Sequence, residues 1–303
     1  MTKGKGELTS HKPEPWSPTS GQAARWIALH LELHAPHTWF GPTWAFLGGV
    51  VSCGQAPLTA AGLVIVLVAW LVSEPFLGSL LALAADIAAM RQAGRADPLA
   101  PRRWSLPYVR PGTPGQRLLD YLARVEARFR HGWHIAGEAG EKWLFLAIAT
   151  LLLSLIAGGP AALLAGVMVV AALGVTTLRP LSASVRVGLG AMHFFVSWLI
   201  GRVTLGALDY RVAAVGAGFA LVWFAWTLRP PRAWLLALAE LATAALLVLW
   251  HAPVAAVGIL LLAAPLFALW PDGPTSQRGY LAHTQAFLMA SLLLAAGGLA
   301  WSF

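Results

Sequence analysis

Four side chains that can ionise or bind metal lie inside long apolar stretches of the sequence: Glu74, His193, Arg202 and Glu240. Ionisable groups are costly in hydrocarbon and are normally retained there for a task. Two interpretations of the charged residues are open. Arg202 can pair with Glu74 or Glu240 and so fix helix packing, or the charged groups can contact a ligand. His193, inside a helix bundle, favours a hydrogen bond to a neighbouring carbonyl oxygen.

Histidines elsewhere in the sequence give a weaker metal signal. His30, His34 and His37 recur at spacings of four and three residues, so His30 and His34 could share a metal ion on one helix face. Pro36 interrupts that helix, and the spacing supplies no acidic or cysteine ligand. Cys53 is the only cysteine, which excludes a disulfide framework and a cysteine-based metal cluster. We therefore predict no metal site from these residues.

The elements that must position these residues are apolar helices. Of the 303 residues, 58% are hydrophobic and 11% are charged, and the mean hydropathy is +0.67. Soluble domains carry charge on roughly a quarter of their residues, so the composition excludes a soluble globular enzyme. Apolar runs of roughly 17 to 25 residues, the length that crosses a bilayer, recur along the chain. The sequence predicts an all-α integral membrane protein.

Nine membrane spans are predicted, with the N-terminus inside, where charged, Gly/Pro or turn residues separate the apolar runs. On this topology 19 of the 21 Lys and Arg residues lie on the cytoplasmic side, as the positive-inside rule requires. The net charge of +8 then marks a face that meets anionic lipid, and no nucleic-acid partner is expected. The predicted spans are residues 38–54, 58–84, 143–158, 161–178, 186–206, 211–228, 233–250, 253–270 and 281–301.

Polar segments precede and interrupt the spans. Residues 1–22 are predicted to be a disordered tail and not a signal peptide, and residues 23–303 a single transmembrane domain. Residues 91–141 are a large cytoplasmic loop, in which Thr113 and Pro114 are typical of a helix start. An apolar stripe with basic flanks favours a helix along the membrane surface, either as a lid or lipid-bound helix or as a docking surface for a partner. The stripe consists of Leu118, Leu122, Val125, Phe129 and Trp133.

Residues 35–54 form an ordered string that includes Trp39 and Trp44. Two tryptophans alone would be typical of any membrane interface, but the whole string is specific enough to indicate a family. Residues 35–54 resemble the entry to the first span of the (bacterio)chlorophyll synthases, a branch of the UbiA-type membrane prenyltransferases. Residues 178–201 are similar to the family segment between the fourth and fifth spans, with Trp198 and Gly201 in register and His193 where the family has Tyr. The matching residues of the first segment are Pro36, Thr38, Trp39, Phe40, Pro42, Trp44, Ala45, Phe46, Gly49, Ser52 and Gly54.

The resemblance implies a nine-span UbiA-like bundle with a central cavity open to the cytoplasm, in the inner membrane of a bacterium. It also implies the transfer of a polyprenyl group from its diphosphate, with Mg²⁺ held by two aspartate-rich motifs. In the first motif only Asp86 remains, because Ala89 and Ala93 replace the other two aspartates. In the second, no acidic residue occurs between Asp209 and Glu240. We expect the family reaction to be lost.

The resemblance then implies a catalytically degenerate protein that binds an isoprenoid or chlorin and serves as an assembly, regulatory or structural subunit in pigment synthesis or a photosynthetic complex. His193 gains a second interpretation, as axial ligand to the Mg of a chlorin. Two alternatives stay open. One is an active prenyl or phytyl transferase whose Mg²⁺ site is rearranged around Asp97 or Asp120, and the other is a lipid or quinone carrier. The candidate ligand and phosphate contacts are Glu74, Asp86, His193, Trp198, Arg202, Glu240, Arg229 and Arg232.

Overall fold

The computed structural model describes residues 40–55, 59–93, 112–177, 182–228, 232–270 and 277–302. Within these ranges all regular structure is helical, which confirms the predicted all-α class for the described part of the chain. The tail at residues 1–22 and much of the large loop, residues 94–111, lie outside it. The helices are α1 (Pro42–Val51), α2 (Ala60–Leu71), α3 (Leu77–Ala93), α4 (Pro114–Ala136), α5 (Glu138–Ala157), α6 (Gly159–Thr177), α7 (Ala183–Leu205), α8 (Tyr210–Thr227), α9 (Ala233–Leu249), α10 (Pro253–Ala268) and α11 (Gln277–Trp301).

Six helical segments of the described residues are long and apolar enough to cross a membrane, and the protein is therefore described as a helical membrane protein. Three shorter apolar helices, α1, α9 and α10, accompany them. The 17 residues of α9 rise about 25 Å, short of a hydrocarbon layer of about 30 Å. Nine crossings therefore stay a prediction. The six long segments are Ala60–Met90, Glu138–Ala157, Gly159–Thr176, Ser184–Leu205, Tyr210–Thr227 and Gly279–Trp301.

Helix starts follow local chemistry. Side-chain oxygens of Thr59, Ser182 and Asp209 accept hydrogen bonds from backbone N–H groups in the first turns of α2, α7 and α8, which otherwise have no partner inside the helix. The turn between α5 and α6 is a single residue, Gly158, at φ +118°. Only glycine adopts that conformation without strain, so Gly158 allows two apolar helices to follow each other directly.

Helix α7 lies between two groups of buried side chains. One group joins α7 to α8, α9, α10 and α11, and it includes Trp198. The other joins α7 to α2, α3, α5 and α6, and it includes Ile200. Helix α1 contributes Ala45 to the first group and Phe46 to the second. The pair α1 and α7 therefore connects the two halves of the bundle.

Helix α4 begins at the residue predicted from the sequence. Pro114 is its first residue, and the N–H of Gln116 donates to the Thr113 hydroxyl at 3.4 Å. Proline suits this position because the first N–H groups of a helix have no acceptor within the helix.

The face of α4 that packs on the bundle differs from the predicted apolar stripe. Leu119, Ala123 and Ala127 are buried, and α4 contacts α3, α5 and α6. Leu118 and Leu122, which belong to the stripe, are 59% and 40% exposed. Small side chains such as Ala123 and Ala127 let helices approach closely but give little hydropathy signal, so the sequence pattern does not indicate this second face.

Candidate functional site

The residues of the family-like entry string that the structure describes build the crossing of α1 and α7. A methyl group at Gly49 would overlap the backbone carbonyl of Trp198, and one at Gly201 would overlap the carbonyl of Phe46. The two glycines therefore place the backbones of α1 and α7 in direct contact, as small residues do in membrane helix pairs. Pro42 lies in the first turn of α1. Pro36, Thr38 and Trp39 lie outside the described residues.

Trp198 is a structural residue of this crossing. Its side chain is fully buried, and its indole N–H donates to the carbonyl oxygen of Val212 at 3.0 Å. Its ring stacks on Phe219 at a centroid distance of 6.2 Å. Glycines at 48 and 216 leave room for the ring, since a methyl group at either would overlap it. The predicted ligand contact at Trp198 is thus occupied by packing and a buried hydrogen bond.

An aromatic cluster packs the residues at the start of α1 against α7 and α8. The ring of Phe40 lies 5.4 Å from that of Phe194 and 5.8 Å from that of Trp226, measured between centroids. The indole N–H of Trp223 donates to the Phe40 carbonyl at 3.1 Å. Trp44 packs at the margin of the same core group. These contacts give the entry string a structural task, the anchoring of α1.

His193 on α7 forms a hydrogen bond with the backbone carbonyl of Ser73, which lies in a π-helical turn between α2 and α3. The turn is Val72–Phe76, and Pro75 within it has no N–H to continue an α-helix. The N–H of Leu77 bonds to the carbonyls of Val72 and Glu74. The Ser73 carbonyl accepts from Nε2 of His193 and, at 3.4 Å, from the hydroxyl of Ser197. His193 is thus held as its Nε2–H tautomer, and this nitrogen is not presented to the Mg of a chlorin.

The residues of the first aspartate-rich motif do not fit a Mg²⁺ cluster. Asp86 is exposed on α3, and Ala89 beside it is exposed as well. Mg²⁺ prefers several oxygen ligands in octahedral geometry, and a lone carboxylate supplies at most two. Within the residues that the structure describes, no group of three or more His, Cys, Asp or Glu side chains is arranged to hold a metal ion. The side chain of Ala93 and residue Asp97 lie outside the description.

The remaining predicted contacts are exposed or lie outside the described residues. Arg232 precedes α9 as its exposed N-cap residue, whereas Arg229 lies outside the described residues. Asp120, which was considered as a substitute Mg²⁺ ligand, accepts a hydrogen bond from Gln116 at 2.8 Å on an exposed face of α4. His30, His34 and His37 also lie outside the described residues.

Arg202 joins helix ends instead of pairing with Glu240. Its guanidinium donates to the carbonyl oxygen of Ser52 at 2.7 Å and to that of Ala207 at 3.0 Å. The thiol of Cys53 approaches the Arg202 carbonyl at 3.2 Å. A cation at the carbonyl end of a helix is favourable, because these carbonyls lack partners and carry the negative end of the helix dipole. The expected pair with Glu240 does not form, and the pair with Glu74 stays a prediction.

Glu240 is the unusual feature of the bundle. Only 1% of its surface is exposed, and neither carboxylate oxygen has a hydrogen-bond partner among the described residues. Tyr280 on α11 is 4% exposed, and its hydroxyl also lacks a partner among the described residues, as does the buried hydroxyl of Ser291 on the same helix. Glu240 was predicted as a ligand contact, but Tyr280 was not. Tyrosine is uncharged at neutral pH, so a search for intramembrane charge passes over it.

The described structure therefore separates the predicted site residues into two classes. His193, Trp198 and Arg202 are engaged in helix packing, while Asp86 is exposed and belongs to no group of described side chains that could hold a metal ion. Glu240 retains unused hydrogen-bonding capacity, together with Tyr280. No protein-family model, no curated protein and no solved structure matches the chain.

Proposed function

We propose that this membrane protein is a catalytically degenerate relative of the (bacterio)chlorophyll synthases. It binds an isoprenoid or chlorin and serves as an assembly, regulatory or structural subunit in pigment synthesis or a photosynthetic complex. The observation that carries the proposal is a contrast within the family-like residues. Those that pack helices are present and buried, whereas those that would bind Mg²⁺ are replaced.

The first part of the contrast is the presence of three family-like residues that pack helices. Gly49 and Gly201 allow the backbones of α1 and α7 to touch, and the indole of Trp198 fills the space beside them. Close crossings of this kind tolerate few substitutions, because a single added methyl group separates the helices. A chain that had lost all function of its bundle would not need to keep them.

The second part of the contrast is the absence of the aspartates that would bind Mg²⁺ and neutralise the diphosphate. A diphosphate leaves only when its developing negative charge is stabilised, which Mg²⁺ does in the family reaction. Asp86 is one exposed carboxylate with alanine at the two other positions of the motif. The end of α8 and the start of α9 carry no acidic residue. A chain without this cluster retains the bundle but not the prenyl-transfer chemistry.

Of the two ligands, an isoprenoid fits the described side chains better. It is bound by apolar contact alone, and it needs no axial ligand. A chlorin would need a nitrogen or oxygen ligand for its Mg, and one of the two ring nitrogens of His193, Nε2, already donates to Ser73. The proposed location is the bacterial inner membrane with nine crossings and a cytoplasmic N-terminus, supported by the distribution of 19 of 21 basic residues.

The ligand test is gentle purification of the full chain from its native membrane, followed by an absorption spectrum and mass spectrometry of an organic extract. The proposal expects a stoichiometric isoprenoid or a chlorin band, with a pigment-synthesis or photosynthetic protein retained in the preparation. A preparation that contains ordinary phospholipid alone would overturn the pigment part of the proposal.

The catalytic test is incubation of the same preparation with chlorophyllide, Mg²⁺ and a prenyl diphosphate. The proposal expects no ester product. Turnover that Asp86→Asn abolishes, but that the exposed control variant Glu141→Gln leaves intact, would establish an active transferase with a rearranged metal site instead.

A further inference from the structure

Helix α4 has an exposed apolar face that differs from the face that packs on the bundle. Leu119, Ala123 and Ala127 are buried, and α4 contacts α3, α5 and α6. Leu118 and Leu122 are exposed instead, and at roughly 100° of helix rotation per residue they lie about 120° from the buried residues. These two leucines are one helical turn apart, so they form a continuous strip along the helix. The described residues leave much of this apolar face uncovered.

A basic face lies on the other side of α4. Arg117 and Arg124 are exposed, and by the same rotation they lie about 110° from the buried residues and about 130° from the apolar face. Within the residues that the structure describes, neither arginine forms an ion pair, whereas Arg130 on the same helix pairs with Glu126 at 3.2 Å. The Nε of Arg124 donates to the backbone carbonyl of Asp120 at 3.1 Å. The positive charges of this basic face are therefore not neutralised by a described carboxylate.

Tyr121 separates the apolar face from the basic face. It is 58% exposed, and its position on the helix is about halfway between the two faces. Tyrosine has an apolar ring and a polar hydroxyl group, and it is enriched where hydrocarbon meets water. Around the exposed side of α4 the residues thus change from apolar to amphipathic to basic. This is the order of environments from acyl chains to lipid headgroups, and a helix surface that faced only water would have no use for it.

The chain connections place α4 next to the membrane boundary. Gly137 alone separates α4 from α5, and Gly158 alone separates α5 from α6. The start of α5 and the end of α6 therefore lie at one end of the bundle, and α4 contacts both helices. The 20 residues of α5 rise about 30 Å, which is the thickness of the hydrocarbon layer. A helix that packs on the bundle and is joined to the start of α5 by one residue therefore lies close to the lipid headgroups.

We propose that α4 is a binding surface for anionic phospholipid. Leu118 and Leu122 insert below the headgroups, and Arg117 and Arg124 bind the headgroup phosphates. A basic side chain near an anionic membrane surface contributes about a fivefold preference for that surface, which gives roughly twenty-fivefold for two. Charge complementarity and the position beside α5 favour lipid over a protein partner or a second copy of the chain. This surface does not depend on the proposed role in pigment synthesis.

The test measures how fast a water-soluble maleimide modifies Leu118→Cys in lipid nanodiscs that each hold one copy of the full chain. The background is Cys53→Ser, which removes the only native cysteine. We expect modification to be at least tenfold slower in phosphatidylcholine mixed with phosphatidylglycerol than in phosphatidylcholine alone. High salt should remove most of this difference, because it screens the attraction between the arginines and the anionic headgroups.

Substitution of the basic face separates lipid recognition from simple burial of the leucines. The double variant Arg117→Gln and Arg124→Gln should abolish the difference between the two lipid mixtures. The control is Arg186→Gln, which also removes an exposed positive charge but lies in the first turn of α7. This control should keep the difference. All three arginines are exposed, so the variants should unfold at the same temperature as the parent protein.

The outcomes distinguish this surface from the alternatives. Slow modification in both lipid mixtures, unchanged by the arginine substitutions, would overturn the recognition of anionic lipid. Fast modification in both mixtures would also overturn it and would leave the apolar face to a protein partner. Protection only in nanodiscs that hold two copies would assign the face to a second copy of the chain instead. The pigment proposal is tested separately, by the native-membrane extract, and either idea can fail without the other.

Discussion

A single methyl group at the α1–α7 crossing should destabilise the bundle measurably. In Gly201→Ala the new methyl would overlap the backbone carbonyl oxygen of Phe46, and a backbone atom cannot rotate away. Since an ordinary carbon to oxygen contact is about 3.3 Å or more, the two helices would have to separate by about 1 Å. Overpacking of this kind costs about 1 to 3 kcal/mol, and we expect the upper part of that range.

The matched control is Gly188→Ala in the same helix. No heavy atom lies within 4 Å of a methyl group at Gly188. Both substitutions gain the same helix propensity, about 1 kcal/mol for alanine over glycine, so this contribution cancels in the comparison. The difference in unfolding free energy between the two variants therefore isolates the crossing. At about 3 kcal/mol it corresponds to roughly a hundredfold change in the unfolding equilibrium.

The assay is reversible unfolding of the purified protein in mixed micelles, titrated with dodecyl sulfate and followed by tryptophan fluorescence. Gly201→Ala should unfold at a clearly lower fraction of dodecyl sulfate than Gly188→Ala. Adding Gly49→Ala to Gly201→Ala should cost less than Gly49→Ala alone, because the helices have already separated. Equal stability of Gly201→Ala and Gly188→Ala would refute the close backbone crossing.

Two further outcomes follow from the structure. His193→Phe should lower the free energy of unfolding by about 1 to 3 kcal/mol, because the buried Ser73 carbonyl loses its main donor. His193→Gln should retain part of that stability. Unfolding in mixed micelles measures both variants, and an equal loss in the two would contradict a hydrogen-bonding role. In a Cys53→Ser background, a fluorophore on Leu118→Cys of α4 should be quenched by brominated lipid in anionic nanodiscs, whereas one on Ala123→Cys should not. Equal quenching at the two positions would contradict the outward apolar face of α4.

Local signals in the sequence predict most helix positions. Apolar runs, together with the predicted N-cap Thr113 and the proline Pro114 after it, indicate where helices begin, and the structure has helices there. The π-helical turn at Pro75 is not evident from hydropathy, because the run of apolar residues continues through it. Its consequence, the bond from His193 to Ser73, joins residues 120 positions apart.

The candidate site was less predictable than the helices. A search for intramembrane charge finds Arg202 and Glu240, and their opposite signs favour a pair. The structure instead places Arg202 on the carbonyls of Ser52 and Ala207 and leaves both carboxylate oxygens of Glu240 without a hydrogen-bond partner among the described residues. Which way a helix turns its side chains depends on the packing of its neighbours, and no local pattern records it.

Hydropathy alone therefore establishes a helical membrane protein and the approximate positions of its helices. The physical reason is that backbone polar groups in hydrocarbon must bond within their own segment, so an apolar run of sufficient length has to be a helix. Tertiary packing decides the rest. It brings Gly49 and Gly201 into backbone contact and engages His193 with Ser73. It also leaves the side-chain oxygens of Glu240 without hydrogen-bond partners among the described residues. These outcomes depend on helix rotation and crossing.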